Sequence, residues 1–230
     1  MKDHYKNITE GVFISRPNRF IAHVDIDGKD TVCHVKNTGR CREILVPGAG
    51  VILEKSDNPE RKTAYDLIAV YKGKRLINID SQLPNTAAYE FLENGGLGIT
   101  FTELKREVTF GDSRFDLYGR DASGREYFFE VKGVTLETDD VAAFPDAPTE
   151  RGRKHIYGLA DAASKGYGAY LLFIIQMKGI RYLVPNKKTD PEFAEALKYA
   201  KEKGVNILAY ECDVTPGNIE VSSSVPVVIA

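Results

Sequence analysis

This sequence of 230 residues is short of tryptophan, cysteine and long apolar runs. It has no tryptophan, the side chain that most often stacks on carbohydrate rings, so sugar binding is the least expected function. The three cysteines, Cys33, Cys41 and Cys212, are an odd and scattered set, which predicts reduced thiols in a cytoplasmic protein. No apolar run is long enough to span a bilayer and the first residues do not form a signal peptide, so we expect no membrane association.

Charge is nearly balanced, and the net charge of -2 gives no overall attraction to nucleic acid. Basic residues are nevertheless concentrated between positions 16 and 42, where six stand against three acidic ones. We predict that Arg16, Arg19 and Arg40 bind nucleic acid in this segment, and that Arg151 and Lys154 form a second basic cluster. An ordinary solvated surface would have much the same composition.

Residues 1–82 are predicted to form a small β-barrel. Short stretches rich in β-branched and aromatic residues alternate with turn signals, such as Asp27-Gly28 and Lys72-Gly73. Five or so strands in this length suit a small barrel, and barrels of the OB type commonly bind single strands or oligonucleotides. Strand propensity alone does not separate an OB barrel from an SH3-like barrel.

Residues 83–230 are predicted to form a second domain of mixed α/β type. A short helix is expected at Ala87–Glu93, followed by an antiparallel meander of three strands. Helices that begin at Thr149 and Asp190 then flank Tyr170–Ile175, an apolar run typical of a strand buried on both faces. A strand, a helix and another strand in this order predict a βαβ unit with parallel strands. The fold class is therefore α+β or α/β.

Two strands joined by a turn near Ser123 carry the candidate active site. This hairpin would place Asp116 opposite Glu130, and the alternation of a strand would send Lys132 to the same face. Two facing carboxylates repel each other unless a cation lies between them, which predicts a hard divalent ion such as Mg²⁺. Lys132 beside them would serve as a point charge for a phosphate or an activated water.

The same residues have a less specific interpretation. Asp116 and Glu130 could be solvated edge residues, or one of them could pair with Arg114 or Lys132. An Asp…Glu-x-Lys pattern is short and recurs by chance. The context favours a site, because the carboxylates interrupt the most apolar strands of their region on one face only.

The histidine and cysteine residues of the first domain do not predict a zinc site. His23 and His34 fall on two arms of one hairpin, with Cys33 and Cys41 nearby. Cys33 and His34 are adjacent on a strand, however, and therefore point to opposite faces and do not converge on one ion.

Asp116 together with Glu130-Val131-Lys132 resembles the signature of the PD-(D/E)XK nuclease superfamily. The chain as a whole resembles the sugar fermentation stimulation protein family of bacteria and archaea, essentially end to end. The most specific matching segment is Phe144–Gly152. Other matching segments lie at positions 16–22, 37–40, 107–108, 130–136 and 207–210.

The resemblance implies an N-terminal OB-like barrel and a C-terminal restriction-endonuclease-like domain in a DNA-binding protein. Glu107 matches the upstream acid of the family, so that Glu107, Asp116 and Glu130 would hold Mg²⁺ or Mn²⁺, with Glu103 as the second choice for the upstream acid. Lys132 would hold or deprotonate the attacking water. Arg151 and Lys154 would contact a phosphate or, equally, only solvate and cap their helix.

Two functions from different classes fit these features. The first is a Mg²⁺-dependent nuclease acting on DNA or another structured nucleic acid. The second is a non-catalytic DNA-binding regulator of sugar-utilisation genes, since a fold alone does not guarantee chemistry. The intact set of Asp116, Glu130 and Lys132 favours the nuclease, because a binding protein has no obvious use for opposed carboxylates. The sequence leaves the oligomeric state open, a homodimer included.

Overall fold

The computed structural model describes residues 3–37 and 39–229, which form two compact units. Of the described residues, unit 1 contains 3–37, 39–83, 176–178 and 212–220. Unit 2 contains residues 84–175, 179–211 and 221–229. None of the helices in the described ranges has the length and apolar character needed to cross a membrane.

Unit 1 contains a closed barrel of five strands with a sixth strand paired to one of them. The six strands are β1 (Ile8–Ser15), β2 (Ile21–Ile26), β3 (Lys29–Val35), β4 (Gly50–Lys55), β5 (Tyr65–Lys72) and β6 (Arg75–Asn78). Their order is β3-β2-β1-β4-β5-β6, and a parallel pairing of β3 with β5 closes the barrel. This is an OB-like arrangement, so the prediction of an OB-like barrel is confirmed and the SH3-like alternative is not needed.

The alternation of side chains explains why these short strands close into a barrel. On β2, Ala22, Val24 and Ile26 are buried in the interior, while His23 and Asp25 between them are only partly buried. Because side chains alternate between the two faces of each strand and one face is apolar, the sheet can close around an apolar core.

Unit 2 is built on a mixed sheet in the order β15-β14-β12-β9-β8-β7. The strands of this sheet are β7 (Phe101–Phe110), β8 (Ser113–Asp121), β9 (Glu126–Val134), β12 (Gly168–Ile175), β14 (Asn206–Thr215) and β15 (Asn218–Val225). A smaller sheet contains β10 (Glu137–Thr138), β11 (Val141–Phe144) and β13 (Tyr182–Pro185). The helices are α1 (Leu83–Glu93), α2 (Glu150–Ser164) and α3 (Pro191–Glu202).

The predicted meander and βαβ unit are both present. Strands β7, β8 and β9 pair antiparallel in chain order, and β9 then pairs parallel with β12. Helix α2 lies in the connection between β9 and β12, as a parallel pair requires a long crossover. Strand β12 lies in the middle of the sheet between β9 and β14, and it is almost fully buried.

Helix α1 is longer than the sequence predicted. It begins at Leu83 instead of Ala87 and ends at Glu93 as expected. The added turn contains Pro84, which a first turn accepts because its missing N–H would have no partner in the helix there. Asn85, which later proves to touch the candidate site, therefore belongs to the first turn of a helix.

Asp190 fixes the start of both long helices of unit 2. Its Oδ1 accepts a hydrogen bond from the Phe193 N–H at 2.9 Å and so caps α3. Its Oδ2 accepts from the Thr149 N–H, at the start of α2, and from Arg153 Nη1, both at 2.9 Å. Thr149 in turn caps α2 by accepting from the Gly152 N–H at 3.0 Å. One buried carboxylate thus sets where α2 begins.

We expect Asp190→Ala to lower the free energy of unfolding by about 2 kcal/mol, because it removes an N-cap and leaves buried donors without an acceptor. Burial would raise the pKa of Asp190, but the two N–H donors and Arg153 together lower it. The stabilisation is therefore present above the ordinary value of 3.8 and is lost as pH falls through the lowered pKa. Chemical denaturation of both proteins at pH 7 and pH 3 measures this.

Glu192→Gln is the matched control, since Glu192 pairs with the same Arg153 but is exposed. This change should cost less than about 0.5 kcal/mol. Equal losses from the two substitutions would show that Asp190 acts only as a surface charge.

Candidate active site

The side chain of Asp116 accepts a main-chain hydrogen bond at the point where β8 and β9 stop pairing. The paired residues of these two strands run from Arg120 and Glu126 to Leu117 and Phe129, and the ladder stops there. Just beyond it, Asp116 Oδ2 accepts a hydrogen bond from the N–H of Val131 at 2.8 Å. The two strands cease to pair at this point, and the Asp116 side chain bridges the opening.

The surroundings of Asp116 disfavour its charge. Its Oδ1 accepts a hydrogen bond from Asn85 Nδ2 of α1 at 3.0 Å. Burial, followed by the negative charge of Glu130, raises the pKa of Asp116, although its hydrogen bonds and Lys132 act in the opposite direction. A carboxylate in this position gains from any cation that approaches it.

Glu130 is the most buried charged side chain of the site, at 1% exposure. Its Oε1 accepts from Lys132 Nζ at 2.5 Å and also bonds His155 Nδ1 of α2. Its Oε2 is buried and has no hydrogen-bond partner among the described residues. Burial would raise the pKa of Glu130, but the hydrogen bond to His155 and the charge of Lys132 lower it. Glu130 is therefore a carboxylate with one oxygen fully engaged and the other unsatisfied.

Lys132 and His155 hold the carboxylate from two elements. Lys132 follows Glu130 by two residues on β9, so both side chains emerge on one face of the sheet. The Lys132 side chain is only 16% exposed. His155 reaches Glu130 from the first half of α2, where it lies on the buried side of the helix. Because a carboxylate only accepts, Nδ1 of His155 donates to Oε1.

Glu107, the predicted third acid, has a different partner in this structure. It lies on β7 at a positive φ of 57°, between the residues that pair with Leu117 and Phe115. Its side chain is 64% exposed and forms an ion pair with Arg114. Glu103, the second choice, contacts Lys105 and Arg120.

Across residues 3–37 and 39–229, no group of three or more His, Cys, Asp or Glu side chains is arranged to hold a metal ion. The site in its present geometry therefore offers two carboxylates, Asp116 and Glu130. A metal-binding role for Glu107 stays a prediction.

The predicted basic clusters are exposed with one exception. Arg151 and Lys154 lie on the solvent side of the first turns of α2. In unit 1, Arg19 and Arg40 are exposed, whereas Arg16 directs its guanidinium at main-chain carbonyls of its own loop. Contacts of all five with nucleic acid stay predictions.

Comparison with known proteins decides the family. Residues 14–79 match the model described as the SfsA N-terminal OB domain, and residues 82–218 match the sugar fermentation stimulation protein RE domain. The second match alone covers more than half of the chain. The chain belongs to the sugar fermentation stimulation protein family.

Relatives in this family align over nearly their whole length. The sugar fermentation stimulation protein homolog of Ruminiclostridium cellulolyticum is 55% identical over 97% of this chain and 98% of its own. The homolog of Desulfitobacterium hafniense is 57% identical over 97% of both chains. A solved structure, that of Pyrococcus furiosus SfsA in complex with Ca²⁺, covers 100% of both chains at 31% identity with a TM-score of 0.87.

Sequence reasoning missed two residues of the site. His155 lies next to Lys154 of the second basic cluster and is not among the predicted site residues, although its position four residues before Leu159 places it on the apolar stripe of α2. Asn85 falls before the predicted start of α1, and no local pattern connects it with Asp116. The signal for His155 was present in the helical period, whereas Asn85 required the tertiary structure.

We expect Asp116→Asn to leave the metal-free protein as stable as wild type or more stable at pH 7, because the substitution removes a charge that its surroundings disfavour. The pKa of Asp116 is raised, so its contribution to stability is full below the ordinary value of 3.8 and is lost as pH rises through the raised pKa. Asparagine keeps an acceptor for the Val131 N–H without the charge. Denaturation in EDTA at pH 4 and pH 7 should show the difference shrinking at the lower pH.

Asp112→Asn, at an exposed turn position, is the control and should change stability little at either pH. A clear loss of stability in Asp116→Asn at pH 7 would mean that the charge of Asp116 stabilises the apo fold.

Proposed function

We propose that this chain is a divalent-metal-dependent nuclease that hydrolyses phosphodiester bonds in DNA. The observation that carries the proposal is the buried, unpartnered Oε2 of Glu130 beside a second carboxylate whose charge is disfavoured. An unsatisfied buried carboxylate oxygen is costly to keep, and a bound cation would satisfy it.

The residues present fit a divalent ion. Asp116 and Glu130 supply hard oxygen donors. Each Asp116 oxygen accepts one hydrogen bond from the part of the chain that the structure describes, so lone pairs are left for a cation. Two protein carboxylates suit Mg²⁺ or Mn²⁺, because Mg²⁺ usually keeps several waters and takes its other ligands from substrate phosphates. The Ca²⁺ complex of the related Pyrococcus furiosus protein supports a divalent site in this family.

A bound ion would supply Lewis-acid polarisation of the scissile phosphate. The protein's own residues prepare the site for it. His155 and Lys132 engage Glu130 Oε1 and so orient Oε2, as outer partners of ligating carboxylates commonly do. Asn85 and the Val131 N–H fix the Asp116 carboxylate in the same way.

Lys132 has donors to spare for substrate. Its ammonium carries three N–H donors, of which Glu130 Oε1 takes one. A fixed positive charge beside the reacting phosphate stabilises the negative charge that develops there. Because the ammonium donates to Glu130, we assign Lys132 to holding the water and the phosphate and not to removing a proton.

A non-catalytic DNA-binding regulator is the second candidate. The observation that favours it is Glu107, which contacts Arg114 and does not complete a third ligand position. In this function Lys132 and His155 would serve only to neutralise the buried Glu130. The two candidates differ in whether the chain turns over a substrate.

Glu130→Gln should remove most of the stabilisation by a divalent ion. Wild type should gain about 1.4 kcal/mol at about ten times the Kd of Mg²⁺ or Mn²⁺, which corresponds to a rise of a few degrees in Tm. Glutamine keeps the size of the side chain but offers no anionic oxygen. Thermal denaturation with and without the ion measures the effect.

Glu107→Gln and Glu103→Gln extend this test. If two carboxylates hold the ion, Glu107→Gln should respond to it as wild type does; loss of the response would make Glu107 the third ligand. Glu103→Gln tests the second choice for the upstream acid in the same way, since the half-buried Glu103 carboxylate pairs with Lys105 and Arg120. Asp112→Asn, at an exposed turn position, is the control. Equal ion responses in wild type and Glu130→Gln would place the ion elsewhere.

Lys132→Ala should keep ion and DNA binding but reduce DNA cleavage by a factor on the order of 10² or more. The reason is that the Lys132 ammonium stabilises negative charge that develops only in the transition state. Single-turnover cleavage of DNA with Mg²⁺ or Mn²⁺ measures the rate, and Lys105→Ala removes an exposed lysine paired with Glu103 as the control. Wild type that binds DNA but cleaves none of a panel of single-stranded, duplex and branched substrates would support the regulator instead.

A further inference from the structure

Unit 1 contains a cleft of about 510 Å³ at the end of β1, which we call the barrel cleft. Its lining includes Phe13, Leu45, Arg19, Arg40 and Arg42. Phe13 and Leu45 are buried and form an apolar part of the wall, whereas the three arginines are exposed. A concave site with an apolar wall and several cations suits a ligand that carries both an apolar ring and a negative charge.

Arg16 holds together the main-chain segments that form the barrel cleft. Its Nη1 donates to the carbonyls of Gly39 and Arg40, both at 2.8 Å. Its Nη2 donates to the carbonyls of Arg19 at 2.7 Å and Asn37 at 2.6 Å. A guanidinium presents its donors as a rigid planar fork, so one side chain fixes two segments of chain against each other. The main-chain positions of Arg19 and Arg40 therefore depend on Arg16.

The three rim arginines have free charge. In the described parts of the chain, Arg19, Arg40 and Arg42 form no ion pair with an acidic side chain. Arg61 of the same unit, by contrast, contacts Asp66 at 2.6 Å. Three unneutralised guanidinium groups around one cleft attract phosphate, which arginine binds in a bidentate way.

An exposed aromatic ring adjoins the rim. Phe20 follows Arg19 directly and is 55% exposed, which is unusual for a phenylalanine. Ile14 lines the cleft and is also exposed. Aromatic and apolar side chains next to a basic groove allow bases to stack while the backbone phosphates contact arginine, which is how OB folds bind single strands.

We propose that the barrel cleft binds a single-stranded segment of nucleic acid, with one nucleotide in the cleft, its phosphates on Arg19, Arg40 and Arg42 and a neighbouring base on Phe20. Single-stranded bases leave their faces open to such contact, whereas bases stacked in a duplex do not. This proposal rests on the proposed function, because it names single-stranded or frayed DNA as the substrate class of the nuclease.

The test measures binding of a fluorescently labelled ten-residue oligothymidine by anisotropy, with the full chain in EDTA so that no cleavage occurs. The combined change Arg19→Ala, Arg40→Ala, Arg42→Ala should weaken binding about tenfold or more. It should also lower the slope of log K against log salt by about 2, because three phosphate contacts are lost and each contributes about 0.7. Phe20→Ala should weaken binding to the oligothymidine but not to a duplex of equal length.

Two further variants separate the cleft from general charge. The combined change Lys29→Ala, Lys62→Ala, Lys74→Ala removes the same charge from exposed positions of unit 1 outside the cleft, and should weaken binding far less. Arg16→Lys keeps the charge but loses the fork, and should weaken binding while thermal denaturation shows whether the barrel is still folded. A folded Arg16→Lys protein with full affinity would overturn the role of Arg16.

Competitors and the nuclease assay separate the remaining outcomes. Thymidine monophosphate should displace the oligomer weakly and inorganic phosphate less, because phosphate lacks the base. Equal weakening by the cleft and control triple variants, or equal binding of duplex and single strand, would overturn the proposal. Because binding is measured in EDTA, its failure is distinct from failure of the nuclease, which the ion response of Glu130→Gln reports.

Discussion

The buried carboxylate of Glu130 is the constraint on which the rest of unit 2 depends. A charge at this depth must be paired, and its partners come from its own strand, Lys132, and from a helix 25 residues later, His155. Those two partners saturate one oxygen and leave the other unsatisfied. A protein that needed only a stable core would gain from an apolar side chain here, so the cost of this arrangement indicates a function for the second oxygen.

The topology of the sheet brings His155 to Glu130. Strand β9 pairs antiparallel with β8 on one side and parallel with β12 on the other. A parallel pair requires a crossover, and the crossover contains α2. Asp190 and Thr149 fix where α2 begins, and the helical period then determines that residue 155 lies on the buried side. The site is therefore a consequence of strand order and of helix capping together.

In unit 1 a half-buried cation, Arg16, has a role like that of the buried anion Glu130 in unit 2. The Arg16 guanidinium donates to main-chain carbonyls, so that the neighbouring arginines have defined positions and charges that are free to bind a ligand. In both units one charged side chain is held by several hydrogen bonds and gives a definite geometry to the polar groups around it. Polar groups that are already ordered lose little conformational entropy when a ligand binds to them.

The sequence by itself determined a small barrel, the meander and the βαβ unit, because side-chain period, turn residues and caps act over a few neighbouring positions. The resemblance to a family implied that the barrel is OB-like. It also predicted that Asp116, Glu130 and Lys132 emerge on one face, since the period of a strand is two. Lys132 has its partner, Glu130, two residues away on the same strand, but the other partners of these residues lie at least 15 residues away in the chain. Only the tertiary structure brought Asn85 to Asp116 and His155 to Glu130, and directed the Arg16 guanidinium to main-chain carbonyls. Glu107 meets Arg114 across the β7–β8 hairpin, seven residues along the chain. Local periodicity determines the direction of a side chain, but strand order and helix placement determine what it meets.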